Sequence, residues 1–215
     1  MVRPYEQTPD AMKDEIPTVS PDDVLSFWFD GAAAGTASPE TVARWFRSDP
    51  AFDDAIRRQF GPAIEAAIDG ALDHWQSEPE SWLALLIVLD QFPRNVSRGT
   101  AAAFAGDARA QRIARAGIDA GLDRALTPLQ RVFAYLPLEH AEDASLQAQC
   151  VALFDALRSD IGDAQRPMFD MFHDYAVRHR EVIDRFGRFP HRNAALGRSS
   201  TPAERDYLAT PGAGF

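Results

Sequence analysis

The sequence has a single cysteine, Cys150, among its 215 residues. One thiol excludes a framework of disulfides and any metal cluster built from cysteines alone. The residues around Cys150 follow an apolar helical pattern, which indicates a buried and inert thiol rather than a nucleophile.

Long apolar runs are also missing. The longest strictly apolar run, residues 82–89, is too short to cross a bilayer. The N-terminus has no basic start followed by an apolar stretch, so it indicates no signal peptide. We therefore expect a cytoplasmic protein without a membrane partner.

The sequence lacks the short motifs of several enzyme classes. It has no Gly-x-Ser-x-Gly turn, no Walker A loop and no Gly-x-Gly-x-x-Gly motif, which excludes the usual serine-hydrolase elbow and the common nucleotide folds. The formal net charge of −10 argues against nucleic acid as a partner. The charge is uneven, because residues 178–198 hold six arginines against Glu181 and Asp184. We therefore expect a local basic patch on an acidic protein.

What the sequence does contain is a repeated helix-start signal, a capping residue followed by proline. The capping oxygen accepts a hydrogen bond from an unpaired backbone N–H, and proline then occupies the first helical position, where no donor is needed. The pairs are Ser20-Pro21, Ser38-Pro39, Asp49-Pro50, Glu78-Pro79, Thr127-Pro128 and Thr201-Pro202.

Between these starts, apolar residues recur at helical spacing, without the alternation of a strand. This pattern predicts an all-α array of about ten antiparallel packed helices, which form one domain over residues 18–215. Residues 1–17 are predicted to be a polar, loosely ordered arm. Residues 80–90 are apolar on every side and should form a central, buried helix. Pro137 should stop one helix, and the next is predicted over residues 139–158.

Two segments resemble each other, because each contains Phe-Pro and then Arg-Asn. Residues 90–95 and 186–193 are predicted to be loops in which phenylalanine anchors the core and proline ends the preceding helix. Asparagine tolerates a left-handed backbone and caps the turn, so each loop presents its arginine from a stiff backbone. The second loop continues without a regular pattern, which is typical of a functional loop. We expect residues 92–98, 135–143 and 186–198 to meet in a polar pocket.

Five stretches match a known family: residues 24–30, 45–46, 89–95, 135–140 and 179–198. On the basis of these stretches, nearly the whole chain from about residue 20 onward resembles the bacterial family named domain of unknown function 924. The resemblance implies an all-α fold similar to a tetratricopeptide-repeat (TPR) superhelix. It implies no activity.

The first functional hypothesis is a binding site for a small anionic ligand or an acidic peptide. Guanidinium forks bind carboxylate or phosphate through two parallel hydrogen bonds, and rigid loops hold the forks in place. In this hypothesis the loop arginines hold the anion and the two loop asparagines hold the loops. The predicted ligand-binding residues are Asp90, Arg94, Asn95, His140, His179, Arg188, Arg192, Asn193 and Arg198.

Two other hypotheses remain open. One is an enzyme, a hydrolase or lyase acting on a carboxylated or phosphorylated small molecule. Imidazole titrates near neutral pH, so His191 is the candidate general acid or base, with Glu139 as its partner. The other is a structural or adaptor protein, whose arginines pair with internal carboxylates and only stabilise the fold. A histidine bonded to a carboxylate would favour the enzyme, and a closed arginine–carboxylate network would favour the structural role.

No cofactor and no metal site are predicted. Glu139 and His140 are adjacent, but no His-x₃-His or Cys/His spacing accompanies them. The sequence carries no signal for an oligomeric state.

Overall fold

A computed structural model describes residues 19–30 and 37–214, and every regular element in these two ranges is helical. The predicted all-α class is confirmed. The predicted arm, residues 1–17, lies outside the described residues. The helices are α1 (Pro21–Phe29), α2 (Pro39–Phe46), α3 (Pro50–Asp69), α4 (Pro79–Leu86), α5 (Phe92–Val96), α6 (Asp107–Asp119), α7 (Pro128–Glu139), α8 (Ala144–Ser159), α9 (Arg166–Phe186) and α10 (Pro202–Leu208).

The six predicted helix starts are all helix starts in the structure. Ser20, Thr127 and Thr201 each form a capping box, in which the side chain of the third helical residue also bonds the cap backbone. Ser38 and Asp49 accept backbone N–H bonds through their side chains. The proline content of the chain therefore serves largely to begin helices.

The prediction for Pro137 is wrong, because α7 continues through Pro137 to Glu139. A proline near the end of a helix removes only one hydrogen bond of the last turn, and α7 ends two residues later. The following helix therefore begins at Ala144, capped by the side chain of Asp143, and not at residue 139. His140 lies at the C-terminal cap of α7.

Residues 90–95 are also not a loop. A π-helical turn, Ile87–Gln91, joins α4 directly to α5, and Pro93 lies in the first turn of α5. Proline lacks an N–H and clashes with the carbonyl four residues earlier, and a π-helical turn widens the backbone at such a point. Asp90 and Arg94 are four residues apart, about one helical turn, and their side chains form an ion pair.

The main core is an apolar cluster that includes residues from α1 to α9, and a smaller second cluster is formed by Val182, Ile183 and Phe189. Trp28 and Trp45 both pack edge-on against Phe133, at ring-centroid distances of 5.5 and 4.8 Å. Residues 82–89 are almost completely buried, so the predicted central helix is confirmed, although it is split between α4 and the π-helical turn. Helix α8 packs against both of its neighbours in the chain, α7 and α9, and short connections join the three helices. None of the described helices is long and apolar enough to cross a membrane.

The second predicted loop, residues 186–200, is largely irregular. Gly187 ends α9 in the left-handed region, at φ 68°, and a short 3₁₀ turn follows at Pro190–Arg192. Phe189 is fully buried and anchors this loop, as expected. We call this segment the 186–200 loop.

Candidate functional site

Asp107, the first residue of α6, is the point where the two Phe-Pro segments meet. Arg94 of α5 donates to both of its carboxylate oxygens, at 2.8 and 3.0 Å. Arg192 of the 186–200 loop donates to the same carboxylate at 3.2 Å. The predicted convergence of residues 92–98 with residues 186–198 is thus present, although the sequence argument did not identify Asp107.

Arg94 is held by a second carboxylate as well. Its Nη1 lies 3.0 Å from Asp90 Oδ1 and 2.7 Å from the Asp90 carbonyl oxygen. Asp90 is only 1% exposed. Burial opposes its ionisation, but the charge of Arg94 and the bond to His140 outweigh burial and hold the pKa of Asp90 below its usual range. Arg94 is therefore part of a closed ion-pair network.

Arg192 is bound much less completely. Its guanidinium lies between the rings of Phe104 and Phe189, at 4.8 and 4.4 Å, and the residue is only 5% exposed. One Nη atom donates to Asp107, while the buried Nε has no hydrogen-bond partner among the described residues. Burial and the charge of Arg94 lower the pKa of Arg192 to about 10, so the group is still charged at neutral pH.

The guanidinium of Arg198 is bound by side chains of the protein itself. It donates to both oxygens of Glu142, at 2.7 and 2.9 Å, and its Nε donates to Asn193 Oδ1 at 3.0 Å. Glu142 also accepts the N–H of Phe189 at 2.8 Å. These bonds fasten the 186–200 loop to the connection between α7 and α8.

The structure also separates Arg188 and Asn193 from the Asp107 contacts. Arg188 donates twice to Glu204 of α10, at 2.6 and 2.9 Å. The Asn193 amide lies 3.0 Å from Ser200 Oγ and 3.4 Å from the same glutamate. Both side chains hold α10 against the loop, as expected for Asn193, and the predicted role of Arg188 in ligand binding stays a prediction.

Asn95 is likewise in a separate group of contacts. Its amide donates to Asp53 Oδ1 at 2.7 Å, and Arg98 binds the same carboxylate. Asp53 belongs to α3, so Asn95 links α3 with α5. The predicted part of Asn95 in a ligand site stays a prediction.

Two histidines lie beside the arginines. His140 Nδ1 is 2.9 Å from both oxygens of Asp90. His179 of α9 has Nδ1 2.8 Å from the Tyr175 carbonyl oxygen and 3.4 Å from Glu139 Oε1. Burial lowers the pKa of His179 to about 2, and burial together with Arg94 lowers the pKa of His140. Both imidazoles are therefore neutral near pH 7.

Glu139 lies beside His179, whereas the sequence argument paired Glu139 with His191. Burial and the neighbouring charge of Asp90 raise the pKa of Glu139 to about 8. The ring of His191 lies 5.6 Å from that of Phe189, and burial and Arg192 lower the pKa of His191 to about 4. His191 is thus a weaker base than predicted.

Sequence comparison decides the family. The model of the family described as a bacterial protein of unknown function (DUF924) matches residues 24–212. The chain belongs to the DUF924 family. It is also similar to the solved structure of the protein of unknown function ATU0120 from Agrobacterium tumefaciens, with 40% identity and a TM-score of 0.73 over 88% of this chain and 96% of that chain. The chain matches none of the curated proteins.

Sequence reasoning missed one group of side chains in this DUF924 chain. Glu139, His140 and His179 each bring one potential ligand atom within 4.8 Å of the others. His179 lies on α9 and the other two at the end of α7, so no short spacing pattern joins them. The only local signal was the adjacent Glu-His pair, which is common without a metal.

Proposed function

We propose that this protein binds a small anion, a carboxylate or a phosphate, at the guanidinium of Arg192. The observation that carries the proposal is the buried Nε of Arg192, which has no hydrogen-bond partner in residues 19–30 and 37–214. A buried donor without a partner costs about 1–3 kcal/mol, and more for a charged group. An anion that accepts from this side of the guanidinium removes that cost.

The charges around Arg192 support an anion. Arg94 and Arg192 share the single carboxylate of Asp107, and their mutual repulsion contributes to the lowered pKa of Arg192. A bound carboxylate or phosphate offsets this repulsion and accepts parallel bonds from the guanidinium. The rings of Phe104 and Phe189 hold the guanidinium plane in place, so little side-chain entropy is lost on binding.

The surroundings of Arg192 are largely buried, and three side chains of its ion-pair network are partly exposed. The side chains of Arg94, His140 and Asp107 are 19%, 15% and 12% exposed. This favours a small anion, or the terminal carboxylate of an acidic peptide, over a large partner surface.

A second candidate function is an enzyme that uses this site, a hydrolase or lyase acting on a carboxylated or phosphorylated small molecule. The observation that favours it is the pair of His140 and Asp90, at 2.9 Å. A carboxylate that orients an imidazole is the arrangement of a general acid–base pair. Here His140 takes the role that the sequence argument gave to His191.

A thermal-shift series tests the proposal. The wild type, Arg192→Met and Arg188→Met are melted with inorganic phosphate, oxalate, a panel of mono- and dicarboxylates and a set of short acidic peptides. Arg188 lies in the same loop but is paired with Glu204, so it is the matched control. A ligand at about 100 times its Kd adds about 2.7 kcal/mol of stability, which is roughly 5–10 °C for a chain of this size.

The expected result is a ligand that stabilises the wild type and the Arg188 variant but not the Arg192 variant. Stabilisation only by acidic peptides would identify a terminal carboxylate as the ligand. If no compound stabilises the wild type, while Arg192→Met melts far lower, the arginines have a structural role and the proposal fails. Turnover of the stabilising compound is the test of the second candidate, with His140→Gln as the inactive variant.

A further inference from the structure

We infer that Glu139, His140 and His179 form a binding site for one divalent transition-metal ion of the zinc type. Each side chain offers one ligand atom, and these atoms lie within 4.8 Å of one another. The inference goes beyond the proposed anion site and does not depend on it.

The donor set suits such an ion. Two imidazoles and one carboxylate are a common three-residue ligand set for zinc, and they leave a fourth position for water or a small ligand. Metal–ligand bonds of about 2.1 Å in a tetrahedron put the donor atoms about 3.4 Å apart. In the structure the donor atoms lie within 4.8 Å of one another, so a bound ion would draw them closer together.

Both imidazoles are already oriented by a second oxygen. Asp90 bonds Nδ1 of His140, and the Tyr175 carbonyl bonds Nδ1 of His179. A hydrogen placed on Nδ1 puts the lone pair on Nε2, and in this proposal each histidine binds the metal through that nitrogen. Carboxylates and backbone carbonyls in this outer position are typical of metal-binding histidines.

The backbone around the ligands is rigid. Gln147 of α8 is fully buried and donates to the carbonyl oxygens of Glu139 and Ala141, at 2.5 and 2.8 Å. These bonds hold the chain on both sides of His140. Asp90 is in turn held by Arg94 and by the amide of Gln91. The outer contacts are thus themselves fixed, as a preorganised metal site requires.

The test is a metal titration of the full, tag-free chain after treatment with a chelator. Co²⁺ binding is followed by its visible absorption, and Zn²⁺ binding by calorimetry. The variants are Glu139→Gln, His179→Gln and Asp90→Asn. His74→Gln is the matched control, because His74 is exposed on a different element. Circular dichroism checks that each variant is folded. If one is not, His140→Gln is used in its place, because His140 is the most exposed of the three ligands.

The expected result is one Co²⁺ per chain in the wild type and in His74→Gln. Affinity should fall at least about 100-fold in Glu139→Gln and His179→Gln, and about 10–100-fold in Asp90→Asn, which removes an outer contact. Arg192→Met should still bind Co²⁺, which separates this site from the anion site. The inference is overturned if the folded wild type binds no Co²⁺ at this stoichiometry, or if the ligand variants bind it as well as the wild type.

Discussion

Asp107 accepts a hydrogen bond from Arg192 at 3.2 Å, although 85 positions separate the two residues in the chain. Asp107 begins α6, where the helix dipole favours a negative charge. It also binds Arg94, so one carboxylate positions the arginines of both Phe-Pro segments. The guanidinium of Arg94 is bound by two carboxylates, whereas the buried Nε of Arg192 has no hydrogen-bond partner among the described residues.

Replacing the shared carboxylate should destabilise the protein. Asp107→Asn leaves two largely buried guanidinium groups without their common counter-charge. We expect a loss of roughly 2–4 kcal/mol in the free energy of unfolding, somewhat less than for a completely buried pair. Urea unfolding at neutral pH measures it.

The control for this variant is Asp119→Asn on the same helix, because Asp119 and Arg115 are both mostly exposed and 4.0 Å apart. It should change stability by less than about 0.5 kcal/mol. Added phosphate should raise the melting temperature of Asp107→Asn more than that of the wild type, since an anion can replace the lost charge. Equal stability of Asp107→Asn and the wild type would contradict the role given to this carboxylate.

The residue before Asp107 should tolerate no side chain. A Cβ on Gly106 would overlap the carbonyl oxygen of Leu89 in the π-helical turn, and backbone cannot move aside easily. Gly106→Ala should therefore cost roughly 1–3 kcal/mol in thermal unfolding experiments. Gly162→Ala is the control, because a Cβ there meets open space, and it should be neutral or slightly stabilising.

The pair of Arg188 and Glu204 should make stability depend on pH. The bonds from Arg188 and from the Thr201 N–H lower the pKa of Glu204 to about 2. A lowered carboxyl pKa stabilises the fold above the ordinary value near 4.5, and this stabilisation is lost as pH falls toward 2. The wild type should thus exceed Glu204→Gln in stability by a constant amount above about pH 5.

Urea unfolding from pH 7 down to pH 2.5 checks this dependence. The difference between wild type and Glu204→Gln should narrow as the solution is acidified, while the exposed Glu181→Gln serves as the control. A difference that stays constant or widens at low pH would show that the pair does not act in this way.

Cys150 should be inert in the folded protein. The residue is completely buried, and burial raises the pKa of its thiol. A disulfide reagent at neutral pH should react at least roughly 100-fold more slowly in native buffer than in denaturant, because reaction requires opening of the core. Rapid labelling of the native chain would contradict the burial of α8 against Tyr135.

Local signals predicted the beginnings of the helices well. A capping side chain and the following proline act within four residues, so the sequence pattern at Thr127 or Thr201 is sufficient to predict the start. Helix ends were predicted less well. The consequences of Pro137 and Pro93 depend on how far the helix continues and on a π-helical turn, and neither is visible in a short window.

The site was predicted only in part, because several of its contacts join residues that are far apart in the chain. The repeated Phe-Pro and Arg-Asn pattern pointed to Arg94 and Arg192, and the structure brings them to one carboxylate. Which carboxylate pairs with which arginine depends on tertiary packing, so no local signal joined Asp107 to Arg192 or Glu204 to Arg188. His179 meets Glu139 only because α9 packs along the end of α7.

The most direct test of the anion site is the arginine Nε–H region of the NMR spectrum during titration with inorganic phosphate and with oxalate. The Arg192 signal is assigned by its absence in Arg192→Lys. We expect this signal to shift and saturate with one of the two anions, while the signals of Arg188 and Arg198 remain in place because their Nε atoms are already bonded. A spectrum in which the Arg192 signal stays unchanged, or in which only exposed arginines respond, would contradict anion binding at Arg192.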